Sequence, residues 1–292
     1  MGLTVLITGA NGFLGSHLVH ACVCSGHHVF AMKRASSDIS RLADITDIDY
    51  VLPDEAPAVL ARTHIDCIVN AATAYDRKNS DMPAAFEANC AMPFSLLDAA
   101  SKNGVRTFVN ISTFYPKYYS RMINYTVTKY QFAEYLPLYS AHMAVFDCTL
   151  GHVYGEHDND DKFIPFVIHT LLSEASELPL TGGKQKRKFM YIPDAVDACM
   201  RIIGSRPGHG MFRYDVCDDR KHTIEECVRI IRDRTGNNTT TLRFGALPYA
   251  DDELMDVRLS NTALKKDFGW TPRNSLEEGL ARTIASHRGG KK

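Results

Sequence analysis

Tyr125 and Lys129 close the two ends of the run Tyr125-Thr126-Val127-Thr128-Lys129. Four residues is one turn of a helix, so the two side chains share a face. A phenol has a pKa of about 10 and carries its proton at neutral pH. A nearby ammonium favours the phenolate, which would make Tyr125 a readier proton donor to an alkoxide forming on a substrate. Lys129 has a second use, because its ammonium can reach a ribose hydroxyl and fix a cofactor. Thr113 ends a short apolar run, where its hydroxyl can bond the same reacting oxygen. Alone, a Tyr and a Lys so spaced describe an exposed amphipathic pair; it is the company they keep that points to catalysis.

That company begins at Thr8-Gly9-Ala10-Asn11-Gly12-Phe13-Leu14-Gly15. Glycine permits a tight turn, lets backbone amides approach a pyrophosphate and allows close helix–strand packing. A helix starting at Phe13 and Leu14 would offer unpaired N–H groups and positive dipole to the anion. A glycine triplet by itself is weak, but this one follows a strand pattern and precedes a helix pattern, the context a dinucleotide site requires. An NAD-specific site ends its second strand with an acid that binds the ribose diol. Counted from the glycine loop, Lys33 and Arg34 hold that place. Two cations attract a 2′-phosphate that a carboxylate would repel, and Arg offers it a fork. NADP is therefore the expected cofactor, with Ser36 and Ser37 adding hydroxyl donors. The plainer alternative is a solvated charge pair after a strand.

The elements that must hold these groups read as β-rich runs alternating with helical stretches. Val5–Ile7 leads through the glycines into a helix from about Phe13 to near Gly26. His28–Met32, Cys67–Ala71, Phe108–Ile111 and Ala144–Leu150 follow as further strands. This rhythm argues for an α/β fold, a Rossmann-type doubly wound parallel sheet with helices on both faces. In the second half, Thr223 with Glu226 and Ser275 with Glu278 are capping-box pairs that start helices. Asn261–Phe268 reads as another helix, closed by Gly269.

Composition narrows the function classes. Among 292 residues, 33 Lys and Arg nearly balance 34 Asp and Glu, for a formal net charge of −1. That balance gives no long-range pull on nucleic acid or an anionic membrane, so neither partner is expected. No apolar stretch has the length of a leader or of a bilayer span. The eight cysteines are scattered from Cys22 to Cys227 without metal-ligand spacing. They read as free thiols, which suits a cytoplasmic protein without a metal.

Taken together, the glycine spacing, Thr113 and the Tyr125/Lys129 pair resemble the short-chain dehydrogenase/reductase family, and the resemblance covers essentially the whole chain. Asn70-Ala71-Ala72, continued by Thr73, matches the family's fourth-strand motif beside the cofactor. His152-Val153-Tyr154-Gly155 is similar to the Asn-x-Tyr-Gly turn of the extended subgroup. Arg187 with Phe189 to Asp194 is similar to its Arg-Asp-Phe-x-x-Val-x-Asp motif, and Phe268-Gly269-Trp270-Thr271-Pro272 to its Leu-Gly-Trp-x-Pro. These are marks of the extended, NAD-dependent epimerase/dehydratase members that modify nucleotide-linked sugars. Lys188, Thr149 and His152 depart from the Asp, Arg and Asn usual there. Gly151–Gly155, Asp161–Phe166 and Glu253-Leu254-Met255 look most like CDP-abequose and CDP-paratose synthases, which reduce C4 of a CDP-linked keto-deoxysugar.

The resemblance implies a cofactor domain over residues 1–155, with 189–219 returning to it. It implies a smaller C-terminal substrate domain over 156–188 and 220–292. It makes His152, Lys162, Phe163 and Arg187, with Thr113, the candidates for sugar-nucleotide binding, Arg187 facing the diphosphate and Phe163 flanking the base. In the basic run, Lys184, Lys186 and Lys188 are expected to be solvated and only Arg187 functional. The leading expectation is an NADPH-dependent 4-ketoreductase acting on a CDP- or dTDP-linked 4-keto-6-deoxysugar. The alternatives are an epimerase that retains NAD and a catalytically silent NADP-binding protein. A 4,6-dehydratase is disfavoured, because Phe114 and Tyr115 stand where related dehydratases place an Asp-Glu pair. By the same resemblance a homodimer is expected, through helices near Pro93 and Tyr130.

Overall fold

The structure, a computed structural model, describes residues 2–76 and 78–289. Strands β1 (Thr4–Thr8), β2 (His28–Met32), β3 (Asp49–Val51), β4 (Cys67–Asn70), β5 (Thr107–Ser112) and β6 (Ala144–Leu150) alternate with helices. These are α1 (Phe13–Cys24), α2 (Ala56–Arg62), α3 (Met82–Phe86), α4 (Met92–Lys102) and α5 (Ile123–Tyr139). Together with the strand Gly210–Val216 they form a seven-stranded sheet in the order Gly210–Val216, β6, β5, β4, β1, β2, β3. The pairings from β3 through to β6 are all parallel. A parallel sheet must be covered on both faces, which is why its strands are apolar runs. Val5, Leu6, Ile7, Ile68, Val69, Phe108 and Val109 have no exposed surface.

The chain winds outward from β1 to β3, then returns to the other side of β1 as β4. The strand order therefore reverses at β1 and β4, and in such sheets the crevice at the strands' carboxyl ends is where ligands bind. Between α3 and α4 the helix widens into a π turn, Glu87–Ala91, a local widening often found at functional sites.

The chain divides into two compact units, Met1–Leu150 with Val196–Asp215, and Gly151–Ala195 with Val216–Lys292. The division falls before His152-Val153-Tyr154-Gly155 rather than after it, because β7 (His152–Tyr154) pairs with Phe189–Tyr191 and not with the large sheet. Two further small ladders join Lys186–Arg187 to His222–Thr223 and Glu177–Leu180 to Thr241–Phe244.

Helices of the second unit start where the sequence signals them. Glu226 N–H donates to Thr223 Oγ1 at 3.1 Å while Thr223 N–H donates to Glu226 Oε2 at 2.8 Å. Ser275 and Glu278 repeat the exchange at 2.9 and 3.2 Å. The helix Thr262–Phe268 stops at Gly269, whose φ of 60° is left-handed and suits glycine. Trp270, next along, is fully buried. Among the described residues no helix is long and apolar enough to cross a membrane.

Candidate active site

β1 delivers the chain into the glycine loop at the point where strand order reverses. Gly9 has φ +62°, and a Cβ there would lie 2.7 Å from the Ala72 Cα, so the loop and the end of β4 touch backbone to backbone. A Cβ on Gly15 would lie 2.1 Å from the Gly9 carbonyl oxygen, which seats α1 directly on the loop. The Gly12 N–H closes the turn on Gly9 O at 2.9 Å. Helix α1 has no side-chain cap and no acidic residue in its first turn. Phe13 is buried beneath that turn, while Leu14 is partly exposed. The loop thus keeps its amides and dipole for an anion. Arg41, a residue the sequence did not single out, donates to Asn11 O at 3.3 Å and adds a cation beside the loop. Lys33 follows β2 with its Nζ over the Tyr50 ring, 5.4 Å from the centroid, and Arg34 is exposed beside it. The Arg34 N–H donates to Ser37 Oγ. Ala71, Ala72 and Thr73 leave β4 partly buried.

Thr113, Tyr125 and Lys129 lie in this same unit, with 7%, 5% and 2% of their surface exposed, so the exposed-pair description fails. The Thr113 hydroxyl hydrogen-bonds the Tyr125 phenol. Tyr75 packs on the Tyr125 ring at 5.0 Å, and Tyr115, Tyr119 and Met122 complete its surroundings. Burial, followed by Tyr75, pushes the phenol well above its ordinary range, and the Thr113 hydrogen bond works the other way. This corrects the expectation that Lys129 would make Tyr125 more acidic: packing dominates, and the phenol is held firmly protonated. Lys129 is shifted in its own right. Burial lowers it to about 8, against the pull of Asp147. Its Nζ is buried without a hydrogen-bond partner. A ribose hydroxyl is the kind of acceptor that atom lacks, so the residues present fit a dinucleotide.

Three contributors, Asn110, Asp147 and Asn89, belong to no sequence motif, and they work with Thr8 and Asn70, which do. Thr8 Oγ1 donates to Asn70 Oδ1, Asn70 Nδ2 to Asn110 Oδ1 and Asn110 Nδ2 to Asp147 Oδ1, at 2.9, 3.0 and 2.8 Å. Asn89, in the π turn, accepts from Ala74 N–H at 2.8 Å and donates to Ala74 O and Thr128 Oγ1. A signal was present in the strands: single polar residues interrupt otherwise apolar runs.

In the second unit, His152, Lys162 and Arg187 fall within one electrostatic neighbourhood. His152 is lowered to about 3, by burial first and then by Arg187 and Lys162. Its ring meets Phe189 edge-on at 6.0 Å. Lys162 pairs with Asp158 at 2.7 Å, and Phe163, first residue of α6 (Phe163–Leu172), is exposed. Arg187 is buried and pairs with Glu253 at 3.0 Å while also donating to Leu254 O. Lys184 is exposed as expected and bonded to Glu225. Lys188 is not: it is 8% exposed, and its ammonium donates to Asp218 O and Asp219 O. Two backbone carbonyls accept from that ammonium.

The sequence profile of the NAD dependent epimerase/dehydratase family matches residues 5–217. The chain is 28% identical over 290 residues to CDP-abequose synthase of Salmonella muenchen, covering 96% of this chain and 97% of that one. Its fold is shared with UDP-glucose 4-epimerase of Thermotoga maritima, with a TM-score of 0.86 at 19% identity over 99% and 100% of the two chains. It is also shared with dTDP-glucose 4,6-dehydratase of Streptomyces venezuelae, solved with NAD, with a TM-score of 0.83 at 21% identity over 99% and 98%.

Proposed function

The chain belongs to the NAD dependent epimerase/dehydratase family, and on that premise we propose that it is an NADPH-dependent reductase of the C4 keto group of a CDP- or dTDP-linked 4-keto-6-deoxysugar. One observation carries the reading: a buried Thr113–Tyr125–Lys129 set in a chain that aligns almost end to end with CDP-abequose synthase. Lys33 and Arg34, with no acid at that place, support NADPH.

Bound along the glycine loop, the nicotinamide would supply a hydride to the carbonyl carbon. Tyr125 gives its phenolic proton to the carbonyl oxygen as negative charge develops there, so hydride and proton together turn C=O into CH–OH. Thr113 orients the phenol by their shared hydrogen bond and is placed to bond the same oxygen. Lys129 holds the ribose. In this reading the second unit is the substrate domain, with Lys162, Phe163 and His152 contacting the sugar nucleotide and Arg187 meeting its diphosphate while shared with Glu253. The reading further includes a cytoplasmic homodimer formed through α4 and α5, the helices of Pro93 and Tyr130, which sedimentation of the purified protein tests.

An epimerase shares this fold, and an epimerase reading of this chain would call on the same Tyr125 and Lys129; cofactor traffic separates the two. A reductase consumes NADPH stoichiometrically, and deuterium carried on NADPH appears at C4 of the product. Repeated turnover without added nicotinamide, yielding an epimer of the substrate, would establish the epimerase instead.

A further inference from the structure

The first unit's strands carry polar side chains in matched register. Thr8 stands opposite Asn70, Asn70 opposite Asn110, and Asn110 opposite Asp147. Four adjacent strands therefore place one polar row across the sheet, joined throughout by hydrogen bonds. A backbone group sets the direction of this row. The Ala72 N–H can only donate, and it donates to Thr8 Oγ1 at 3.0 Å, which turns the hydroxyl proton toward Asn70 Oδ1. Asn70 Nδ2 is then left for Asn110 Oδ1, and Asn110 Nδ2 for Asp147. Every bond donates toward Asp147, and aligned bonds of this kind polarise one another. A row of donors that ends on a carboxyl group stabilises its ionised, acceptor form.

Asp147 lies near the end of β6 among Lys129 and Tyr130 of α5, Arg213 of the strand Gly210–Val216, Ser112 of β5 and the adjacent Cys148. Burial raises its carboxyl above the ordinary range, and the hydrogen bond from Asn110, the charges of Lys129 and Arg213 and the Ser112 hydroxyl work against that rise. The lysine ammonium, for its part, is sealed from solvent and makes no hydrogen bond. Asp147 is the group that opposes the effect of burial on it.

We propose that Asp147 is the fixed counter-ion of Lys129, held as a carboxylate by the Thr8–Asn70–Asn110 row that starts at the Ala72 amide. It is a positioning residue, acting through Lys129, and the inference rests on the reading of Lys129 as part of the catalytic set. One hydrogen-bonded row thereby ties the loop beside the proposed cofactor site to the charge of the lysine that serves it.

Asp147→Asn keeps the shape and an acceptor oxygen but removes the charge. The full-length protein, carrying isotope-labelled lysine, is titrated by NMR, and the Lys129 Nζ signal is assigned by its loss in Lys129→Met. The Lys129 midpoint is expected to fall by about one pH unit, a tenfold change in its proton affinity. Asn110→Ser, which cuts the row next to Asp147, should move it the same way by less, and serves if Asp147→Asn does not fold. The alkaline limb of the rate profile for keto-sugar reduction should follow the midpoint, whereas mere loss of packing would lower the rate equally at every pH. An unmoved midpoint in the folded variants overturns the proposal. Because the titration needs no substrate, a shifted midpoint in a protein that reduces no keto sugar would refute the proposed reaction and leave the counter-ion standing.

Discussion

Arg187 and Glu253 face each other at 3.0 Å with 7% and 9% of their side chains exposed. A pair so enclosed is desolvated on both sides, and losing one member strands the other's charge. Glu253→Ala should therefore cost about 3–5 kcal/mol of stability, read as a lower midpoint of chemical denaturation. Adding Arg187→Met should recover much of that loss. A single variant as stable as the parent would show that the guanidinium finds water or another acceptor.

Tyr125→Phe removes one hydroxyl from a fully packed position. Turnover should fall by roughly 10²–10⁴-fold, the usual contribution of a general acid, while NADPH binding, followed by fluorescence, stays within about twofold of the parent. Lys129→Ala should weaken both. Near-normal turnover in Tyr125→Phe would remove it from the chemistry.

Lys33 and Arg34 follow β2 where a 2′-phosphate is expected, Arg34 being exposed. Changing both to neutral residues should weaken NADPH binding and leave NADH binding almost unchanged. Salt should erode NADPH binding more steeply than NADH binding, since the additional attraction is between exposed charges. Equal affinity of the unmodified protein for both cofactors would refute this assignment.

His152 is held neutral in the folded protein, its pKa lowered from 6.5 to about 3 by burial and then by Arg187 and Lys162. The unfolded chain takes up that proton first, so the contribution of a neutral His152 is complete above about pH 6.5. It is lost as pH falls from there toward about 3, at up to about 1.4 kcal/mol per pH unit. His152→Gln should flatten this part of the stability curve in denaturation measured between those pH values. A curve of unchanged slope would show that His152 titrates alike in both states.

The parts legible in the sequence were those governed by local rules. Gly9 and Gly15 announce close backbone approach, and Thr223–Glu226 announces a helix start within four residues. Both are found in the structure. Strands β2 and β6 begin and end where the apolar runs do. What escaped depends on partners far along the chain. Lys188 read as one of several solvated lysines because its acceptors, Asp218 O and Asp219 O, lie some thirty residues away. Asp147 belongs to no sequence motif, since its register with Asn110 exists only once the sheet is formed. The phenol of Tyr125 was expected to become more acidic beside Lys129, yet burial and then Tyr75 push it the other way, and neither is something a Tyr-to-Lys spacing can report.

Asn89 gives Ala74 a donor and an acceptor at 2.9 and 2.8 Å, the same two bonds a neighbouring strand would have offered. The segment leaving β4 thus gains one more rung of ladder with a carboxamide, on a π turn, standing in for the missing strand. That rung is fastened to a helix and not to the sheet. Deleting one residue from Glu87–Ala91 would restore ordinary helical winding through this turn while the helices on either side keep their places. The side chain of Asn89 would turn away, and Ala74 would lose both bonds while Ala72 kept its hold on Thr8.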